Sequence, residues 1–166
     1  MTATRDLQYV LDRLEIQDLL AAYGLGHDLH QAGQDNDVLA QWRDVFAPDA
    51  VIDASAVGAS GSLTLAAYAE LLRGPGLDGS AGMPAHFDRW QHREGWGTVT
   101  IDGDTATAVS PFLHLHQLAD GSSNLIHAGL WHDQLRRLPQ GWRITHRRLL
   151  DLYFNNFPRV ENPQVI

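Results

Sequence analysis

The hydrophobic period of the chain changes once, about halfway along, and that change restricts the fold more than any other feature. Before it, Leu7, Val10, Leu11, Leu14, Ile16, Leu19, Leu20 and Tyr23 recur at three-to-four spacing. They predict an amphipathic helix over residues 5–32, either kinked or split in two with Asp12 capping the second segment. After it, GTVTI, TATAVSPFLHLHQL, NLIHAGLWHDQLRRL and GWRITHRRLLDL read as strands, and the intervening DGD, ADGSS and PQG are hairpin-turn chemistries. Helices followed by an antiparallel meander imply an α+β fold with the helices on one face of a curved sheet.

Between the two halves, DNDVLAQWRDVF predicts a helix capped by Asp35 or Asn36 and stopped by Pro48, with Val38, Leu39, Trp42, Val45 and Phe46 inward. AVIDAS predicts a short strand, and TLAAYAELLRG a third helix closed by Gly74. GPGLDGSAG reads as a loop, lid or plain linker. The tail LYFNNFPRVENPQVI carries three aromatics suited to covering a pocket mouth or packing on a neighbouring subunit.

Composition removes several kinds of chemistry. The 166 residues suit a single domain spanning 1–166, and 44% hydrophobic with 19% charged residues is the balance of a soluble globular protein. No apolar run approaches the ~20 residues of a membrane span, and charges scattered through the first seventeen residues do not form a secretory signal, so the expected location is the cytoplasm. There is no cysteine, which excludes disulfides, thiolate catalysis and thiolate-bound metal. All twelve basic residues are arginine, so Schiff-base chemistry and covalent pyridoxal phosphate lack their amine. A net charge of −8 without a long basic run argues against nucleic acid. The expected partner is a small hydrophobic molecule, with no cofactor.

Helices feeding a strongly bent sheet enclose a cone whose open end is a natural small-molecule pocket. Over residues 10–150, LEIQDLLAAYGLGHD, WRDVFAPDAVID, VTIDGDTATA and GLWHDQLRRLPQGWRITHR, in that order and spacing, resemble the SnoaL-like members of the nuclear-transport-factor-2-like superfamily, a cone-shaped α+β barrel. The scytalone dehydratase-like, bile-acid dehydratase-like and dehydrochlorinase-like enzymes of that superfamily are the most similar. The resemblance implies a Tyr and an Asp five residues apart late in the first helix, here Tyr23 and Asp28. It also implies a His about ten residues before the DGD turn, here His92, and an Arg on the last strand, here Arg147 with Arg148 as the alternative if a bulge shifts the register. Homodimers or homotrimers are expected on the same ground.

The chemistry of such a set is a general-base dyad. A carboxylate that accepts one imidazole N–H fixes the tautomer and stabilises the imidazolium, leaving the other nitrogen to take a proton. Asp28 would orient His92, Tyr23 would donate to a substrate oxygen, and Arg147 would stabilise negative charge. The bland alternative is that Asp28 merely helps end its helix. Five residues also place Tyr23 and Asp28 about 140° apart on a regular helix, so both line one cavity only if they flank it or if Gly24 and Gly26 distort the turn.

The pocket lining is expected from His27, Trp42, Trp90, Trp96, Phe112, His114, His116 and His127, with Trp42 read first as core; Trp131 and Trp142 are expected to be ordinary sheet residues. His114 and His116 share a strand face and, with His127, offer a rival metal site; the reading adopted is polar lining, without metal. The resulting expectation is a dehydratase-type lyase acting on a cyclic or polycyclic hydrophobic molecule. The same base could serve an isomerase or a polyketide cyclase, and the same fold could serve a non-catalytic binding or assembly subunit.

Overall fold

The computed structural model describes residues 7–31 and 37–158. Helix α1 (Leu7–Leu29) runs unbroken, so the N-terminal periodicity belongs to one helix. Asp12 is not a cap. It is buried, accepts two N–H groups of Arg137 at 2.7 and 2.6 Å and faces the Trp142 indole N–H at 3.3 Å, tying α1 to the last two strands. Arg137 holds its carboxyl down at about 2, well below the usual carboxylate range.

The second helix is shorter than its periodicity predicts. Helix α2 covers Val38–Trp42, capped by Asp37, whose carboxylate accepts the Ala40 N–H at 3.0 Å; Asp35 and Asn36 lie outside the described residues. Val45 and Phe46 keep their inward faces because strand β1 (Phe46–Asp53) begins there, earlier than AVIDAS suggested. Pro48 therefore sits inside a strand. Its missing N–H falls in the irregular stretch between Phe46 and Val51, where pairing with the last strand shifts register. After a 3₁₀ turn at Ser55–Val57 and the short β2 (Ser62–Thr64), helix α3 (Leu65–Arg73) follows its prediction, with Thr64 capping it and Gly74 ending it. At Gly74, φ is +89° and a Cβ would lie 2.7 Å from Asp78 Oδ1, so only glycine fits. A one-turn α4 (Met83–His86) leads into the sheet.

Four strands in the second half match the alternating runs: β4 (Thr98–Asp102), β5 (Thr105–Leu118), β6 (Ser123–Leu138) and β7 (Gly141–Pro158). A further strand, β3 (Phe87–Glu94), occupies the aromatic segment that carries His92. Sheet order is β2-β1-β7-β6-β5-β3, with β4 pairing the first part of β5 and β3 the rest. The sheet is mixed, since β1 runs parallel to β7, and it is unclosed; the expected all-antiparallel barrel is corrected in those two respects. Irregularities at Ala128/Gly129 and Gln134/Leu135 accompany its curvature. The core lies between α1, α2 and the concave face, centred on Ile16, Leu20, Trp42, Phe46, Trp131 and Ile144. No described helix is long and apolar enough to cross a membrane.

Candidate active site

The C-terminal end of α1 is built to receive β3. Helix ends leave carbonyls without partners, and here the buried Arg73 of α3 donates to the carbonyls of His27 (3.1 Å) and His30, a cation placed favourably at the negative end of the helix. The Trp90 indole also donates to the His27 carbonyl, at 2.9 Å. Gln31 then pairs with the Trp90 backbone as a neighbouring strand would, donating at 2.8 Å and accepting at 3.0 Å. Gly24 permits the approach, because a Cβ there would lie 2.9 Å from Glu94 Cγ and 3.1 Å from the His92 carbonyl.

That docking brings Asp28 and His92 together. The Asp28 Oδ1 accepts the His92 backbone N–H at 2.8 Å and lies 2.9 Å from the ring Nδ1. A neutral imidazole with its proton on Nδ1 satisfies this contact and leaves Nε2 as an acceptor. Burial, then the neighbouring His27, His114, His116 and Arg73, push the His92 pKa well down, so the ring is neutral near pH 7. Burial raises Asp28 to about 6, opposed by the N–H it accepts.

His92 lines a cavity of about 540 Å³ whose apolar lining includes Val57, Leu72, Met83, Phe87, Leu149 and Phe154. Tyr23 lines it too, but Asp28 does not: it reaches His92 from behind. The 140° between them is thus resolved by placement on different sides of the imidazole, with α1 still regular. Tyr23 and Tyr68 share a 2.6 Å hydrogen bond between their hydroxyls, and burial keeps both protonated, Tyr68 up to about 12. Two phenols spend one proton on each other, so one O–H remains for a ligand oxygen.

His27, His114, His116 and His127 complete the polar wall. His27 stacks on His92 at 4.3 Å, and burial depresses the pKa of all four, His116 to about 3. Among the described residues no group of three or more His, Asp or Glu is arranged to hold a metal ion. The wall residues sit beside carboxylates instead: His114 Nε2 is 3.2 Å from Glu94 Oε1, and His127 Nε2 is 3.2 Å from Asp151 Oδ1.

Several expected lining residues lie elsewhere. Trp96 is 74% exposed, because the chain turns outward after Glu94, and it lines a separate surface groove with Val10 and Leu14 of α1. Trp90 is consumed by the helix end and lies against Arg73. Trp42 is core, stacked on Tyr23 and Tyr68 beneath the cavity. Phe112 backs His114 and His127 without reaching the cavity. Arg147, not Arg148, points inward, yet below the floor: two 2.8 Å bonds hold it to Asp133, with its guanidinium 4.2 Å from the Tyr23 ring centre. Burial disfavours its charge, and Asp133 together with Tyr23 and Glu94 more than offsets this.

Sequence reasoning did not single out Glu94, Tyr68, Arg73, Asp133 or Asp151 and gave Trp131 no special role. The indole of Trp131 lines the cavity and donates to Glu94 Oε2 at 3.0 Å. Glu94 had a findable signal, since on a strand it shares the face of His92 two residues earlier. Tyr68 carries none, being one apolar-face position in an ordinary amphipathic helix.

Helices closing the open end of a curved, unclosed mixed sheet over such a cavity define the nuclear-transport-factor-2-like class of α+β proteins. Within it, the chain belongs to the SnoaL-like domain family, whose model matches residues 8–148. It is similar to the uncharacterised protein Rv2910c of Mycobacterium tuberculosis, 31% identical over 147 residues that cover 83% of this chain and 84% of that one. Among solved structures it resembles the Kfla4162 protein of Kribbella flavida, with 25% identity, a TM-score of 0.71 and coverage of 88% and 94% of the two chains. The LinA-type3 hexachlorocyclohexane dehydrochlorinase of Novosphingobium barchaimii shares the fold at a TM-score of 0.72, with 16% identity over 95% and 98% of the chains.

Proposed function

We propose that the protein is a cofactor-independent lyase that eliminates water from a cyclic, largely hydrophobic molecule bearing a carbonyl and a hydroxyl group β to it. One observation carries the reading: a neutral imidazole, bonded through Nδ1 to Asp28 at 2.9 Å, faces an apolar cavity with its other nitrogen uncommitted. In the reaction, His92 Nε2 takes the proton from the carbon beside the carbonyl, and the electron pair passes to the carbonyl oxygen. The free O–H of the Tyr23–Tyr68 pair donates to that oxygen as its charge grows. Collapse of the enolate then breaks the bond to the hydroxyl group, while Asp28 stabilises the imidazolium. Arg147 acts at a distance, its positive charge beneath Tyr23 favouring negative charge above the floor.

The dehydrochlorinase that shares the fold also performs, by its name, an elimination. The test is a panel of mono- and bicyclic β-hydroxy ketones, followed by the absorbance of the conjugated enone. Wild-type protein forms the enone with at least one member, and His92→Ala loses on the order of 10²- to 10⁴-fold in rate, the usual contribution of a general base. Full turnover by His92→Ala contradicts the assignment.

A further inference from the structure

Elimination of water needs an acid as well as a base, because hydroxide is a poor leaving group and must depart with a proton. We propose that this proton is held on Glu94 and delivered through the ring of His114, an inference that rests on His92 being the base. The register of the sheet sets the two imidazoles side by side: His92 on β3 pairs with His114 on β5, and their ring centres are 4.3 Å apart. Both line the cavity. His114 turns Nε2 to Glu94 Oε1 at 3.2 Å, which leaves Nδ1 for a ligand.

The surroundings of Glu94 suit a stored proton. Its side chain is 3% exposed. One oxygen accepts the Trp131 indole N–H at 3.0 Å, and the other faces His114 alone. Among the described residues no guanidinium hydrogen-bonds it. Arg147 approaches from β7 and favours the anion, whereas Asp28 on α1 and Asp133 on β6 carry like charge toward it; Tyr23 from α1 and the other cavity histidines complete the charged and titratable neighbours. Burial dominates, opposed by Arg147 and the indole, and raises Glu94 to about 7, so it carries a proton through much of the neutral range.

The step balances. With Glu94 protonated, its O–H donates to His114 Nε2 and the His114 proton resides on Nδ1. As the carbon–oxygen bond breaks, the Nδ1 proton passes to the departing oxygen, forming water, and the Glu94 proton moves onto Nε2. Glu94 becomes an anion near Arg147, and His92 holds the proton taken from carbon. Once the products leave, solvent in the cavity takes the proton from His92 Nε2 and supplies one to His114 Nδ1, and the His114 Nε2 proton returns to Glu94, which restores the starting state of both rings. His114 is the catalytic acid, and Glu94 is the residue that sets its tautomer and refills it.

The experiment follows the imidazole nitrogens by ¹⁵N NMR in ligand-free protein. In the wild type His114 carries its proton on Nδ1 below about pH 7, the value the carboxyl's surroundings give, and on Nε2 above it, when ionised Glu94 accepts instead. Glu94→Gln keeps the shape and the indole contact but abolishes this switch. With the β-hydroxy ketone turned over by the wild type, Glu94→Gln also loses at least about 100-fold in kcat and the alkaline limb of the pH profile, while the acid limb stays. A wild-type ring with no tautomer switch, a switch that survives Glu94→Gln, or an alkaline limb that persists in Glu94→Gln overturns the relay. His92→Ala leaves Glu94 and His114 in contact and must preserve the switch, so failure of the relay is separable from failure of the base.

Discussion

Replacing Asp28 by Asn should cost activity while raising stability, a combination that a purely structural carboxylate would not produce. Burial lifts Asp28 from its ordinary value of 3.8 to about 6. The folded protein therefore holds a proton there that the unfolded chain releases, and this contribution to stability is lost as pH rises through about 6. Two units correspond to about 3 kcal/mol at about 1.4 kcal/mol per unit, and a side chain 22% exposed retains on the order of 2 kcal/mol after screening. Asn preserves an acceptor for the His92 N–H without the charge. Its melting temperature at pH 8 should rise by about 4–8 °C for a chain of this size, with the gain shrinking as pH falls toward 5. Activity should move the other way. An amide N–H in place of the carboxylate faces Nδ1, shifts the His92 proton to Nε2 and removes the lone pair from the cavity, at a cost of ~10³- to 10⁴-fold in kcat; losses of that size follow when a base is left in the wrong tautomer. Calorimetry at the two pH values and enone formation read both effects. A lowered melting temperature, or undiminished turnover, refutes the reasoning.

Four further expectations follow from the same geometry. His27, His92, His114 and His116 resist protonation in the folded state, so stability falls as pH drops below about 6.5; after subtracting the opposite contributions of Asp28 and Glu94, the slope is about 3 kcal/mol per pH unit near pH 5.5, and urea titrations showing equal stability at pH 7 and 5 would contradict it. Asp12→Ala leaves Arg137 with Asp104 alone and the Trp142 indole N–H without its partner, and should cost about 1–3 kcal/mol in urea unfolding without changing the pH profile of turnover. Gly24→Ala forces Glu94 and the His92 backbone away from α1, so a loss of ~1–2 kcal/mol is expected with weakened Asp28–His92 contact, visible as a changed His92 tautomer signal. Leu152, Tyr153 and Phe157 are apolar side chains left exposed near the end of β7; we propose that a second copy covers this end, giving a dimer or trimer by light scattering, whereas a monomer would contradict this.

The fold was legible where periodicity was strong. β5 occupies the whole of TATAVSPFLHLHQL, and α3 stops at the glycine that its turn requires. It was obscured where local pattern and tertiary pairing disagree. FDRWQHRE, with one charged pair before Trp90 and another after His92, forms a strand because it pairs with β5 and docks on the end of α1, and neither partner is local. The site shows the same division. Asp28 and His92 could be named from spacing in a recognisable family pattern, since each had a fixed position relative to a helix or a turn. Arg147 faces inward as expected, but its pairing with Asp133 across β6 sets it under the floor, and a register between strands cannot be read from one strand. Trp96 looked like a pocket aromatic by proximity in sequence, and the turn after Glu94 carried it to the other side of α1.

The central claim, that His92 removes a proton from carbon, is tested most directly by deuterium exchange into a bicyclic ketone that has no leaving group and is shown by calorimetry to bind. In D₂O, wild-type protein should exchange the hydrogen beside the carbonyl well above the buffer rate, and His92→Ala, still binding the ketone, should lose that excess by about 10²-fold or more. Exchange that survives in His92→Ala, or a bound ketone that the wild type leaves unlabelled, would contradict the account.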